Sequence, residues 1–466
     1  MKKPFLLLLS IMIWSVGSSQ IVFDEHILAE TLEQAIDVYA FDIDGDGDLD
    51  LLGNESYGHI LWFKNTDGLG DFSEAITIEK LGYSVVDTFT SDLDGDGDQD
   101  VIIATSGGIH WFENMDGEGT FSTLIDIGTG WGGGSAFAAD LDDDGDMDII
   151  AGYYDDLFGS LQWYKNDGFG NFTDGIAMPS DRLVIDVLAI DIDNDNDLDL
   201  CTTSYFSAGP GGTSSHTVGW YENTDGLGTF STQNVFSTGS GRIGDVIRST
   251  DLDGDGDPDI LIGGEGTLGD QVIWFENLDG MGTFGPERVI AVDLEKLYIH
   301  GIHINDVDAD GDMDVIASWD DGIGYGEIVW YENIDGRRNF GYKQIVTSTC
   351  EYGGSIYSGD FDGDGYIDVF GASLDKFTWY ENSLILGNID FDTSRFSIYP
   401  NPAKDQFTIS LNKGIELDHV NIYNQLGQLI SSTHETTVSN LGLSSGMYYV
   451  EIIKNTGKAT NKIVIE

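Results

Sequence analysis

A nine-residue aspartate string recurs seven times in this chain, and no other feature restricts the fold as strongly. It reads DIDGDGDLD from Asp42, DLDGDGDQD from Asp92, DLDDDGDMD from Asp140 and DIDNDNDLD from Asp191. It continues as DLDGDGDPD from Asp251, DVDADGDMD from Asp306 and DFDGDGYID from Asp360. A second motif follows each string: Trp, an aromatic residue, Glu or Lys, then Asn. It starts at Trp62, Trp111, Trp163, Trp220, Trp274, Trp330 and Trp379. Six copies run through an Asp-Gly turn to a phenylalanine: Phe72, Phe121, Phe172, Phe230, Phe284 and Phe340. A repeat of about 50 residues cannot bury its apolar face alone, so the chain must form an array.

The phenylalanine is missing after Trp379, where the chain reads WYENSLILGN. Its counterpart stands at the front, where VFDEHILAE from Val22 resembles DFSEAITIEK from Asp71. A linear solenoid has no use for that permutation. A closed ring does, because pairing its last unit with its first strand removes the open edge. Within a repeat, one apolar strand precedes the string (VVDTFTSD) and a second follows it (DVIIAT). The Trp segment supplies the third strand and the Phe segment the fourth, joined by an Asp-Gly hairpin. The reading is all-β: a seven-bladed β-propeller over residues 20–386, with Val22–Glu30 as the outer strand beside the Trp379 segment. One tryptophan per blade suits packing between blades.

The strings carry the chemistry. Carboxylates stand at alternate positions: Asp42, Asp44, Asp46, Asp48 and Asp50 in the first; Asp92, Asp94, Asp96, Asp98 and Asp100 in the second. The third has Asp140, Asp142, Asp144, Asp146 and Asp148; the fourth has Asp191, Asp193, Asp195, Asp197 and Asp199. Then come Asp251, Asp253, Asp255, Asp257 and Asp259; Asp306, Asp308, Asp310, Asp312 and Asp314; and Asp360, Asp362, Asp364 and Asp368. Tyr366 fills position 7 of the last copy, so a backbone carbonyl is expected to act there. Hard oxygens in a tight loop suit Ca²⁺, and about seven structural calcium sites are expected. An EF-hand needs Glu at position 12, where Gly53, Ile103 and Ala151 stand instead. In the fourth loop Asn194 and Asn196 replace both glycines, and asparagine tolerates the left-handed backbone such a loop needs.

These strings in a strand context resemble the FG-GAP/VCBS repeats of integrin α-chain propellers and of many secreted bacterial proteins. The resemblance implies the propeller and calcium, and leaves the ligand open. Charge excludes one class of partner. Lys plus Arg total 20 against 82 Asp plus Glu, a net charge of −62, and such a chain is repelled by nucleic acid and anionic lipid.

Both ends read as export devices. Lys2 and Lys3 precede an apolar run to Val16 and the small residues Gly17, Ser18 and Ser19, the pattern of a secretory signal over 1–19. After a linker at 387–394, residues 395–466 balance six basic with six acidic residues and lack both motifs. They read as a small Ig-like β-sandwich. Tyr399-Pro400-Asn401-Pro402, Asn424–Leu429 and Ser445-Gly446-Met447-Tyr448-Tyr449 resemble the type A C-terminal sorting domain of the type IX secretion system. That implies recognition by the type IX machinery, export, and release or attachment at the outer-membrane surface.

No catalytic motif stands out. His300 and His303 lie three apart in a strand and face opposite sides. Asp155-Asp156 and Asp320-Asp321 read as solvated acids, and Cys201 and Cys350 as unpaired buried thiols. The reading is a secreted or surface-borne, monomeric binding or adhesion module for a glycan or surface protein. A propeller-type polysaccharide lyase or glycosidase, or a passive surface component, are the alternatives. Ligand contacts are expected on the face opposite the calcium loops, at Trp131, Tyr153, Tyr154, Tyr205, Phe206 and Trp319, where loop lengths vary.

Overall fold

The computed structural model describes residues 20–30, 32, 34–129, 133–153, 160–178, 183–206, 215–240, 246–266, 269–293, 298–385, 396–404, 406–411, 419–423, 429–439, 443, 446–454 and 457–465. The expected signal and linker segments lie outside these. Every regular element among the described residues is a strand. The chain divides into two compact units, one of them Phe23–Ser383 and the other including Leu384–Glu466.

The first unit is a seven-bladed propeller of four-stranded antiparallel sheets. Blade 1 shows how the sequence builds one. Its inner strand Ala35–Phe41 alternates buried and half-buried residues. The aspartate loop leads to Asp50–Glu55, which is buried at every position because neighbouring blades cover both faces. His59–Phe63 follows and is also largely buried. Ile76–Lys80 forms the outer rim and is mostly exposed. Apolar clusters run across the gaps between blades. At the seam, Leu51 and Phe63 of blade 1 pack with Phe370, Phe377 and Trp379 of blade 7. A fully buried side chain of this size contributes about 1.5–3 kcal/mol.

Closure follows the permuted segment. Gln20–Glu30 is the outer strand of the last blade, next to Lys376–Ile385. His26 stacks on Trp379 with ring centres 4.5 Å apart, and its Nε2 lies 2.8 Å from Glu381 Oε2. Lys376 Nζ donates to Glu25 Oε1 at 2.7 Å.

One expectation needs adjustment. The six phenylalanines precede the fourth strands instead of belonging to them. Each forms an isolated bridge to the motif asparagine, as in Asn65–Phe72. That position turns the ring onto the tryptophan of the preceding blade: Phe121 meets Trp62 edge-on at 6.5 Å, and Phe72 meets Trp379 at 5.4 Å. In five of the six turns a second glycine approaches the same indole; in the sixth, Arg338 takes its place. A Cβ on Gly119 would lie 2.3 Å from Trp62, and one on Gly70 2.3 Å from Trp379.

The second unit is a sandwich. Phe396–Tyr399, Gln406–Leu411 and Thr437–Ser439 form one sheet. Leu429–Thr433, His419–Tyr423, Gly446–Lys454 and Gly457–Ile465 form the other. Phe407, Ile409 and Val438 from the first share a core with Val420, Ile422, Val450 and Ile463 from the second. Asn401 of the Tyr-Pro-Asn-Pro motif ties to the last strand. Its Nδ2 donates to the Lys462 carbonyl at 2.8 Å, and its Oδ1 accepts from Val464 N at 2.9 Å.

Candidate metal centres and central channel

The aspartates of each loop divide the work. The first folds the loop: Asp42 Oδ1 accepts from Asp46 N at 3.1 Å and Oδ2 from Gly47 N at 2.9 Å. Asp140, Asp191, Asp306 and Asp360 repeat both bonds. The last aspartate is a buried knot. Asp50 is fully buried, with Oδ2 accepting from Ile43 N at 3.2 Å and Oδ1 from Asn65 N at 2.7 Å. In blade 3 the indole Nε1 of Trp163 donates to Asp148 Oδ2 at 2.9 Å. Burial pushes the carboxyls of Asp50, Asp100, Asp199, Asp259, Asp314 and Asp368 up to about 7, against the pull of these bonds.

Carboxylates from the first, third and either the fifth or the last position form the candidate cation chamber. Asp42, Asp44 and Asp50 each place an oxygen within 4.8 Å of the others, and Asp92, Asp94 and Asp96 do likewise, as do their counterparts at Asp140, Asp191 and Asp251. The third-position Oδ1 is buried without a hydrogen-bond partner in Asp44, Asp142, Asp193, Asp253 and Asp308. A buried carboxylate oxygen left this way is costly unless a cation balances it. These donors fit Ca²⁺, a hard ion held by convergent oxygens. The seventh-position aspartates face the neighbouring turn: a Cβ on Gly68 would lie 2.4 Å from Asp48, and one on Gly168 2.4 Å from Asp146. At Tyr366 the backbone bond is made by the N–H, which donates to Asp364 Oδ1 at 2.8 Å, and not by the carbonyl expected to act there. Asn194 and Asn196 adopt φ of 59° and 75°, the left-handed backbone expected of them. Asn194 also donates to Asp257 Oδ1 of the next blade at 3.0 Å.

Sequence reasoning missed the motif asparagine. Its Nδ2 donates to the carbonyl of the second loop residue of the preceding blade: Asn114 to Ile43 at 2.9 Å, Asn166 to Leu93 at 2.7 Å, Asn223 to Leu141 at 3.0 Å and Asn277 to Ile192 at 2.8 Å. Asn333 to Leu252 and Asn382 to Val307 follow at 2.9 Å each, and Asn65 to Phe361 closes the circle at 2.8 Å. Its appearance in all seven copies of the Trp motif is the signal that could have found it.

The expected ligand aromatics are corrected in part. Trp319 is fully buried, because it lies on Asp314–Asp320, a second strand covered on both faces. Tyr153 is also buried, its hydroxyl 2.7 Å from that of Tyr164. Tyr205 is half-buried on Asp199–Phe206. Trp131, Tyr154 and the side chain of Phe206 lie outside the described residues. Asp320 is buried and contacts His300 instead of meeting solvent, since it ends the same covered strand. Cys201 and Cys350 are free and buried. Among the described residues, Tyr57, Tyr83, Tyr298, Tyr325 and Tyr352 are exposed on the face opposite the aspartate loops.

The inner strands also enclose a cavity of about 650 Å³ along the ring axis, lined from every blade. Asp37, Asp87 and Asp186 each stand five residues before a loop's first aspartate, toward the face opposite the loops. Each accepts the N–H of the next lining strand: Thr88 N to Asp37 at 2.9 Å, Ala136 N to Asp87 at 3.2 Å, Ile247 N to Asp186 at 2.9 Å. Arg248 Nη1 lies 3.6 Å from Asp186 Oδ2. Tyr357 packs against Tyr39 at 5.0 Å and His303 at 4.4 Å. Burial pushes Asp87 up to about 8, helped by the charges of Asp37 and Asp186 and opposed by Arg248. Burial pushes Asp37 to about 6 and His303 down to about 3. The loop-centred reading of the sequence did not find this site.

Comparisons agree with the repeat and with the tail. An FG-GAP-like repeat matches residues 92–151, 251–317 and 306–371. A secretion system C-terminal sorting domain matches residues 397–466. No curated protein matches the sequence. Two similar solved structures are BBS1N in complex with ARL6DN soaked with lead, and BBS1N in complex with ARL6DN soaked with mercury. The first is 10% identical with a TM-score of 0.49, covering 78% of this chain and 97% of that one. The second is 9% identical with a TM-score of 0.48, covering 79% and 99%. The protein is a seven-bladed propeller that carries FG-GAP-like repeats, with a type IX sorting domain over residues 397–466 that directs it out of the cell or to the outer-membrane surface.

Proposed function

We propose that this exported propeller is a calcium-stabilised binding module that takes a glycan at the mouth of its central channel. The observation that carries the reading is the channel itself. Three carboxyl groups and one guanidinium offer hydrogen bonds to hydroxyl groups, and Tyr39 and Tyr357 offer faces for sugar rings. The exposed tyrosines lie on the same face. Calcium belongs to the scaffold in this reading, because the aspartate loops lie at the other end of the inner strands. Glycan-array binding in millimolar Ca²⁺ tests it. Arg248→Ala and Tyr357→Ala are expected to lose binding at least about tenfold while melting like the parent. Binding that survives both, or that Tyr57→Ala and Tyr325→Ala alone abolish, argues against the channel.

A second reading is favoured by one observation, the elevated carboxyl of Asp87 beside Asp37 and Asp186 in a cavity. Carboxyls set apart in this way are suited to general acid and base roles in glycoside cleavage. Release of reducing ends from a bound polysaccharide, lost in Asp87→Asn, would support it.

A further inference from the structure

We infer that two of the seven aspartate loops hold a lysine ammonium from the chain itself in place of the metal, and that the other five take calcium. The inference rests on the calcium reading above and decides which blades depend on the ion.

The third residue of the Trp motif separates the blades. It is Lys64 in blade 1 and Lys165 in blade 3. It is Glu113, Glu222, Glu276, Glu332 and Glu381 in the others. The asparagine that follows is bound through its N–H to the buried last aspartate of the same loop in every blade. The backbone at the third residue is therefore fixed against its own loop, and in the glutamate blades the charge of that side chain bears on the third-position aspartate.

Lys64 Nζ contacts Asp44 Oδ2 and lies 3.4 Å from Asp46 Oδ2. Lys165 Nζ contacts Asp142 Oδ2 and lies 2.9 Å from Asp144 Oδ2. These third- and fifth-position carboxylates are the ones a calcium ion would need at about 2.3–2.6 Å. An ammonium on them fills the space, and a divalent ion beside it would meet a like charge in a partly buried site.

An orphaned oxygen occurs in both kinds of loop, although in Asp94 and Asp362 the third-position Oδ1 accepts the N–H of the fifth residue. The third-position Oδ1 is orphaned in Asp44 and Asp142, and equally in Asp193, Asp253 and Asp308. What differs is the neutralising group. In the glutamate loops the chain adds another carboxylate, which increases the demand for an ion. Blade 5 is a special case. Arg338 and Arg288 each lie 2.5 Å from a Glu276 oxygen, and Arg338 stands 3.6 Å from Asp253 Oδ2. Glu276 is thereby occupied while Asp253 Oδ1 stays unpartnered, so this loop takes calcium with the lowest affinity of the five.

Native mass spectrometry of the chelator-stripped chain, titrated with CaCl₂, counts the ions. Five per chain are expected in the parent, and seven in Lys64→Glu/Lys165→Glu. Glu332→Lys is expected to bind four. Hydrogen exchange in chelator reads the same assignment in the parent without mutation: segments 42–50 and 140–148 stay protected while the other loops open. Any nonzero parent count other than five overturns the assignment but leaves the calcium reading standing. A count of zero overturns the calcium reading itself. Unchanged counts in both variants, or uniform opening of all seven loops in chelator, also overturn the assignment.

Discussion

Asn65 Nδ2 donates to the main-chain oxygen of Phe361 at 2.8 Å, across 296 residues of chain. The same bond joins each of the other blades to its predecessor. At this seam it links the first blade to the last, so the ring is closed by the repeat's own chemistry as well as by the outer strand.

Removing that link should open the seam. Asn65→Ala leaves the buried Phe361 carbonyl unpaired, and a loss of about 1–3 kcal/mol is expected. Deleting residues 20–30 should do more, because it exposes the edge of Lys376–Ile385. Calorimetry and light scattering check both: a lower melting point for the first, and concentration-dependent aggregation for the second. A deletion variant that stays monomeric and melts like the parent would show that the strand does not close the ring.

Gly119→Ala should destabilise more than an ordinary surface change. The residue has φ of +85°, and its new Cβ would lie 2.3 Å from the Trp62 ring. Left-handed strain together with overpacking costs about 2–4 kcal/mol. Gly82→Ala serves as the comparison: φ is +79°, yet nothing lies within 4 Å of its Cβ. Equal losses in denaturant unfolding would show that the indole contact contributes nothing.

Calcium removal should loosen the propeller. With a dissociation constant near 10⁻⁴ M, each ion in millimolar calcium adds roughly 1.4 kcal/mol. Five ions would add roughly 7 kcal/mol, or a fall of roughly 10–20 °C in chelator. Differential scanning calorimetry with and without chelator reads this directly, and an unchanged transition would count against metal binding in these loops.

Stability at saturating calcium should fall as pH rises from about 4 to 8. Asp87 and Asp37 have folded-state carboxyls at about 8 and 6, both above the unfolded value. Across that window the folded chain holds protons that the unfolded chain has released, so stability decreases with pH. Each such proton is worth up to about 1.4 kcal/mol per pH unit. The buried loop carboxyls at about 7 act in the same direction, so Asp87→Asn should make the slope shallower without abolishing it and leave the variant at least as stable as the parent at pH 8. A slope unchanged in urea titrations of the variant would place the titrating group elsewhere.

The one-dimensional pattern carried the repeat count, the blade number and the ring closure. Seven strings, seven motif tryptophans and one displaced phenylalanine are covalent facts, and closing an edge is a requirement any such array must meet. The loop carboxylates were legible for the same reason, since their spacing is local. The fate of Trp319 was not: its burial depends on the neighbouring blades that cover both faces of its strand. Asp37, Asp87 and Asp186 come from blades 1, 2 and 4, and only the ring brings them to one channel. Lys64 and Lys165 read as ordinary variation within a motif until the fold placed their ammonium groups on Asp44 and Asp142. Local spacing shows which groups could hold a cation. Which of them already have one depends on contacts between distant stretches of chain, and only the tertiary structure decides those.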